Sequence, residues 1–186
     1  MRLPVLSLVP AALLLAGPGP RIQVGSAPVV DVVQVKARLL ERMLGYVTWP
    51  RRVDPLPRGA FRVGFYGRTP VAREFAKLVQ SRTFLGRPIE VGYITSKDSL
   101  ESYDLVFVSE GEARRAGEIA ARLAGKPVFT VCDGRDGGAK GIILSMFVVD
   151  EKAAYDVNLG RARLAGFAIH SQVLHYAAKV LDGGTP

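Results

Sequence analysis

Cysteine and histidine are the first residue types to consider in this sequence as a nucleophile and a base. The chain contains one cysteine, Cys132, and two histidines, His170 and His175. A single cysteine excludes an internal disulfide and a multi-cysteine zinc site. A thiol nucleophile needs a base within reach and a lowered pKa, and no spacing in the sequence brings His170 to Cys132. We therefore predict that Cys132 is a buried core residue.

The glycine-rich segment 134–141 is a second candidate for chemistry, because glycine loops that follow strands can cradle phosphates. Its lysine, Lys140, is followed by Gly141 and a predicted strand, whereas a phosphate loop needs serine or threonine at that position and then a helix. Metalloprotease and hydrolase signatures are also missing from the sequence. We expect segment 134–141 to be a flexible connection, with a basic ligand-contacting loop as the alternative. For the protein as a whole we predict no enzymatic activity, no metal and no cofactor.

The composition is that of a globular protein with a basic excess. The 186 residues are 48% hydrophobic and 23% charged, and they carry a formal net charge of +8. This length and hydrophobic content suit one folded domain and exclude extensive disorder. The basic residues are scattered among acids rather than gathered into a stripe, which argues against nucleic acid as a partner. Attraction to anionic lipid or cell-wall polymer is the alternative to a simply solvated surface.

The beginning of the chain differs from the rest. Arg2 precedes an apolar run from Leu3 to Ala16, which is shorter than the roughly 20 residues that span a bilayer. Glycines, prolines and other small residues follow this run. We predict a signal peptide at residues 1–27, with an uncleaved membrane anchor as the alternative, and a single α/β domain at residues 28–186 that is exported to the periplasm.

The hydrophobic pattern predicts helices that alternate with strands. We expect helices over residues 31–48, 69–79 and 169–181, and a further helix after Ser109, whose spacing from Glu112 fits a capping box. Strands are predicted over residues 61–66, 89–94, 104–109, 127–132, 142–149 and 152–159.

The order of these elements predicts the fold class. Strands joined through helices pair in parallel, whereas the last two strands are separated by Asp150-Glu151 and must form an antiparallel hairpin. We therefore expect a three-layer α/β fold with a mixed sheet that is mostly parallel, ends in a C-terminal antiparallel hairpin and has helices on both faces.

Several short segments also carry a resemblance to a known family. They are, in order, Lys36-Ala37, Tyr46-Val47-x-Trp49-Pro50, Asp104 to Val108, Val131-Cys132-Asp133 and the closing segment from Asp156 to Leu174. On these segments the sequence resembles the YfiR family of exported bacterial regulators, over about residues 30–182.

The resemblance implies a periplasmic regulatory binding protein. The best understood type in that family represses an inner-membrane diguanylate cyclase, and thereby cyclic-di-GMP synthesis, by contact with the periplasmic sensor domain of the cyclase. The residues that we expect to contact a ligand or partner are Trp49, Arg163 and His170. Redox sensing through an internal disulfide is excluded for this chain, because it has a single cysteine.

Two locations for the binding surface follow from the predicted fold. A regulator of this kind would use exposed apolar residues of the first and last helices, because proteins rarely expose a large apolar patch without use. The alternative is a sensor of small molecules or cell-wall fragments without a cyclase partner, with a pocket near the strand ends around Ser109, Cys132 and Asp133. A homodimer is also left open.

Overall fold

The computed structural model describes residues 31–50, 59–150 and 152–182. The predicted signal peptide lies outside these residues. The helices are α1 (Val32–Gly45), α2 (Pro70–Val79), α3 (Ala116–Arg122), α4 (Leu159–Leu164) and α5 (Ser171–Tyr176). The strands are β1 (Val47–Thr48), β2 (Phe61–Tyr66), β3 (Thr83–Phe84), β4 (Arg87–Ile94), β5 (Leu105–Val108), β6 (Phe129–Asp133), β7 (Leu144–Val149), β8 (Lys152–Asn158), β9 (Ala168–Ile169) and β10 (Lys179–Leu181).

An eight-stranded mixed sheet runs through the middle of the molecule, in the order β10-β8-β7-β6-β5-β2-β4-β3. The neighbours from β4 through β2, β5 and β6 to β7 are parallel, and β7 and β8 form an antiparallel hairpin. Strands β1 and β9 pair separately. The α/β class, the mostly parallel sheet and the C-terminal hairpin are therefore confirmed.

Two hydrophobic cores lie on opposite faces of the sheet. Successive strand residues point to opposite faces, so Leu105 and Phe107 of β5 belong to one core while Val106 and Val108 belong to the other. The buried residues of α1 and α2 pack in the first core, and those of α3 pack in the second. Helices thus cover both faces of the sheet, as the three-layer prediction requires.

Local sequence determines where the first two helices begin. The side chain of Asp31 accepts hydrogen bonds from the backbone N–H groups of Val33 and Gln34 and thereby caps α1. Thr69 accepts from the N–H of Val71 and is followed by Pro70 at the first position of α2. These caps satisfy N–H groups that have no partner within the helix. The helix predicted over 31–48 ends earlier, at Gly45, because Val47 and Thr48 pair with Ala168 and Ile169.

The predicted last helix is wrong over most of its length. Helix α5 ends at Tyr176, Ala177 is extended, and residues 179–181 add a strand parallel to β8. The backbone of these residues bonds to an otherwise open sheet edge, which outweighs their weak helical periodicity. The predicted capping box at Ser109 is also wrong. The Ser109 side chain caps no N–H group, and a 3₁₀ turn precedes α3.

Candidate functional site

A cavity of about 690 Å³ opens at the carboxyl ends of the parallel strands. The loop after β2 leads into α2 on one face of the sheet, whereas the loop after β5 leads toward α3 on the opposite face. The two loops diverge between adjacent strands, and this divergence opens a crevice at the edge of the sheet. Residues 68–71, 109–111 and 133–135 line this crevice, together with the first turn of α1. We call it the strand-end cavity.

A buried ion pair lies in the lining of the strand-end cavity. The Lys36 Nζ of α1 donates a hydrogen bond of 2.5 Å to the Asp133 Oδ1 at the end of β6. Counted over the whole residue, Lys36 is 8% exposed and Asp133 is 5% exposed. Burial raises the pKa of Asp133, whereas the hydrogen bond and charge of Lys36 lower it, and the net direction is upward. Desolvation therefore has a larger effect on the pKa of this carboxylate than its pairing with Lys36 has.

Charged side chains also stand at the rim of the strand-end cavity. Arg68 and Arg135 are both exposed, and Glu110 is a further carboxylate in the cavity lining. The Arg135 guanidinium lies over the Phe147 ring, 4.3 Å from its centroid. This cation–π contact holds one arginine in position beside the cavity. With Lys36 and Asp133, the cavity has three cationic groups and two carboxylates, and therefore a net positive charge.

A second concave surface lies between the first and last helices. This groove has a volume of about 310 Å³ and is lined by Leu39, Arg42, Met43, Tyr46, Tyr155, Gln172, Val173 and Tyr176. Tyr176 is 75% exposed and Tyr46 is 42% exposed. The buried Tyr155 hydroxyl donates to the carbonyl of Val173 and ties α5 to the sheet. We call this surface the α1–α5 groove.

Trp49 lies in an aromatic cluster rather than on an open surface. Its ring meets those of Phe61 and Phe167 edge-on, with centroids 5.0 and 5.2 Å away, and its indole N–H donates to the Leu44 carbonyl. Trp49 is half-buried and packs against the first core. Any contact of Trp49 with a partner stays a prediction.

His170 and Arg163 lie apart from the Trp49 cluster. The His170 Nδ1 accepts a hydrogen bond from the Gln172 N–H and caps α5, and its ring lies 5.9 Å from that of Tyr46. His170 is therefore placed beside the α1–α5 groove. Arg163 is exposed on α4 and pairs with Asp182. The structure does not gather the three predicted residues into one site, and their binding role stays a prediction.

Comparison with known proteins gives the family. The profile described as YfiR/HmsC-like matches residues 33–178. The chain belongs to the YfiR/HmsC-like family. Family membership confirms the resemblance that the sequence segments indicate. No helix in the described part of the chain is both long enough and apolar enough to cross a membrane.

Other comparisons concern the fold of this YfiR/HmsC-like protein. No curated protein matches its sequence. Among solved structures, the ABC domain in complex with L-Trp from Streptococcus pneumonia superposes with a TM-score of 0.51 at 11% identity. The match covers 80% of this chain and 62% of that one, so the chain spans less than two thirds of the relative. At this identity the likeness concerns the fold alone.

The glycine-rich segment of this family member is a packed turn and not the free connection that its composition suggests. A Cβ at Gly137 would lie 2.6 Å from the Ser145 Oγ and 2.9 Å from the Cys132 Cβ, so only glycine allows this approach. The side chain of Asn158 donates to the Gly138 carbonyl and ties the segment to β8. The turn places Arg135 at the strand-end cavity. The ligand contact of the basic-loop alternative stays a prediction.

The pairing of Lys36 with Asp133 was not predicted from the sequence. The two residues are 97 positions apart, and no local pattern joins them. A signal was present, however, because Lys36 lies on the same helical face as Leu40 and Met43, which are buried. A lysine on an apolar helix face needs a buried partner.

The Cys132 thiol is buried as predicted, and it should be unreactive in the folded protein. Burial, aided by the charge of Asp133, raises its pKa to about 11. Because only the thiolate reacts, we expect its reaction with a disulfide reagent at pH 8 to be roughly 100-fold slower than that of an exposed cysteine. The measurement is the rate before and after unfolding in guanidinium. A fast reaction of the folded protein would contradict this and would permit a disulfide between two chains.

Proposed function

We propose that this protein is a periplasmic regulator that represses an inner-membrane diguanylate cyclase by binding its periplasmic sensor domain. We also propose that residues 1–27 direct export and are removed, which leaves residues 28–186 as the binding domain. The observation that carries the proposal is the α1–α5 groove, because this surface combines exposed tyrosines with apolar side chains of α1 and α5.

The α1–α5 groove has the chemistry of a protein interface. Tyrosine and arginine are enriched at the energetic centres of interfaces, and the groove contains Arg42 beside Tyr46 and Tyr176. Leu39 and Met43 supply an apolar floor that a partner side chain would cover. The ring of His170 extends this surface beyond Tyr46, so we include His170 in the contact area. Arg163 and Trp49 do not line this groove, so we propose that they contact the partner outside it.

Repression requires a difference in affinity. A regulator shifts the cyclase toward its inactive state only if it binds that state more tightly than the active state. To move an equilibrium from almost fully active to almost fully inactive, the two affinities must differ by about 10⁴-fold. A signal that weakens binding at the α1–α5 groove would release the cyclase.

Replacing Tyr176 with alanine tests this proposal. Its side chain is largely exposed and makes a ring contact with His175, so its removal should leave the fold intact while it removes a candidate interface residue. We expect affinity for the cyclase sensor domain to fall roughly 30-fold, as for an interface hot spot of about 2 kcal/mol. Cyclic-di-GMP in the host should rise accordingly. The partner is first recovered by a pull-down from solubilised membranes of the host and mass spectrometry.

Tyr93→Ala is the matched control. Tyr93 is also exposed, but it lies on β4, toward the opposite edge of the sheet from α5. This variant should bind the sensor domain as the wild type does. Equal loss of affinity in both variants, or recovery of no membrane protein with a cyclase domain, would contradict the repressor function.

A sensor of small molecules or cell-wall fragments is the second candidate function, and the strand-end cavity favours it. Cavities of about 300–1,000 Å³ with a few polar groups are typical of small-molecule sites. The cavity of about 690 Å³ lies within this range and contains charged groups. Native mass spectrometry of the protein purified from the periplasm of its host tests this function, with retention of a small molecule as the supporting result.

A further inference from the structure

We infer that the strand-end cavity binds a small organic carboxylate, with the carboxyl group held by Arg68 and Arg135 and the apolar part packed against the valines of α1 and the Phe147 ring. This inference rests on the second function proposed above and is independent of the cyclase repressor function.

The cationic groups of the strand-end cavity carry the inference. Arg68 and Arg135 form no ion pair among the residues that the structure describes, and the Arg135 guanidinium contacts the Phe147 ring. The charge of Arg135 also acts on Asp156, whose pKa it lowers, so Arg68 is the less compensated of the two arginines. A guanidinium binds a carboxylate through two parallel hydrogen bonds and is only weakly hydrated. Two arginines at one rim therefore favour a carboxylate over a neutral ligand.

The buried ion pair contributes a further donor. An ammonium group has three N–H donors, and within the described residues Lys36 uses one of them, for Asp133. Because Asp133 already balances the charge of Lys36, the remaining donors can bind an oxygen of a ligand without a second buried negative charge beside them. Glu110 and the two arginines then leave one net positive charge at the rim, which suits a monoanion.

The walls of the cavity indicate an organic ligand rather than an inorganic ion. Val32 and Val33 of α1, Val71 of α2, and Phe147 and Val148 of β7 line the cavity beside the charged groups. A bare anion would leave this apolar surface in contact with water, whereas an aromatic or branched aliphatic body would cover it. The volume of about 690 Å³ has room for such a body.

Titration of the ¹⁵N-labelled protein with benzoate, followed by NMR, tests the inference. Benzoate should shift the amide signals of residues 68–71, 109–111 and 133–135, with a dissociation constant in the millimolar range or tighter. Benzamide has the same ring without the charge and should cause shifts at least about 10-fold weaker at equal concentration. Inorganic phosphate should bind more weakly than benzoate, since it cannot cover the apolar walls.

Variants locate the benzoate site. Arg68→Ala and Arg135→Ala together should weaken benzoate binding at least about 10-fold. Arg122→Ala removes an exposed arginine from α3, away from the cavity lining, and should leave the affinity unchanged. Absence of benzoate binding, equal binding of benzamide, tighter binding of phosphate, or equal losses in the Arg122 variant would each overturn the inference.

The outcome is separable from that of the proposed functions. A host-derived ligand without a carboxylate group would overturn this inference and leave the sensor function standing. Benzoate binding at the cavity, with no molecule retained from the host, would support the inference and contradict the sensor function. Neither result depends on the Tyr176 variant, because Tyr176 does not line the strand-end cavity.

Discussion

Replacing Lys36 with methionine should lower the free energy of unfolding by about 3–5 kcal/mol, because the change leaves the buried carboxylate of Asp133 without its partner. The two side chains are only 11% and 7% exposed, so water cannot take the place of the lost ammonium. Unfolding in urea, followed by circular dichroism, measures the effect. A double variant with Asp133→Leu should recover most of the loss, since an apolar pair of similar volume carries no buried charge.

Arg163→Met is the matched control for the Lys36 variant. It removes a cation from an ion pair with the same N···O distance of 2.5 Å, but the side chains of Arg163 and Asp182 are 61% and 64% exposed. Exposed pairs contribute about 0–1 kcal/mol because water and salt screen them. If both variants were destabilised equally, burial would not be the cause of the effect.

The pH dependence of stability separates lost pairing from lost packing in the Lys36 variant. Burial raises the pKa of Asp133, and the hydrogen bond and charge of Lys36 lower it, so the pKa should rise further once Lys36 is gone. The folded variant then holds a proton that the unfolded chain releases at about pH 4, and its stability falls as pH rises toward the folded pKa. We expect the difference from wild type to be larger at about pH 7.5 than at about pH 5. A difference that does not change with pH would indicate lost packing alone.

Replacing Trp49 with alanine should lower the free energy of unfolding by about 3–5 kcal/mol, as expected when a large aromatic residue is removed from a packed cluster. The change removes edge-to-face contacts with Phe61 and Phe167 and the hydrogen bond to the Leu44 carbonyl at the end of α1. Trp49→Phe should recover part of the stability, because it keeps a ring but not the indole N–H. Urea unfolding measured by circular dichroism gives both values.

The Trp49 variants also distinguish packing from partner contact. If Trp49 acts through packing, Trp49→Phe should bind the cyclase sensor domain as the wild type does. Tyr93→Ala supplies the control for an exposed aromatic side chain and should change stability by no more than about 0.5 kcal/mol. A Trp49→Ala variant with the stability of the wild type and no partner binding would instead identify Trp49 as an interface residue.

The class of the fold could be predicted from the sequence because its signals are local. Asp31 and Thr69 cap their helices through bonds to residues two or three positions away. The apolar centre of β5 marks a strand buried on both faces. The short connection between β7 and β8 permits only an antiparallel pair. Interactions of this range join residues that are close in the sequence, and sequence patterns can therefore reveal them.

The prediction of the last helix was wrong because its outcome depends on a distant part of the chain. Whether residues 179–181 form a helix or a strand depends on the open edge of β8, more than twenty positions earlier in the chain. Backbone groups bond wherever a partner is available, and the availability of a sheet edge is a property of the whole fold. Weak periodicity over a short segment cannot outweigh a row of such bonds.

The candidate sites also combine features with a local sequence signal and features that depend on the whole fold. The sequence by itself determined the family, the parallel sheet and the expectation of a pocket at the strand ends near Ser109 and Asp133, because carboxyl ends of parallel strands lie at one edge. Only the tertiary structure brought Lys36 to Asp133, over 97 positions, and placed Arg68 and Arg135 at one rim. It also formed the α1–α5 groove from opposite ends of the described chain. Burial and proximity between distant segments arise only when the cores pack, and a cavity or a desolvated charge has no counterpart in local sequence.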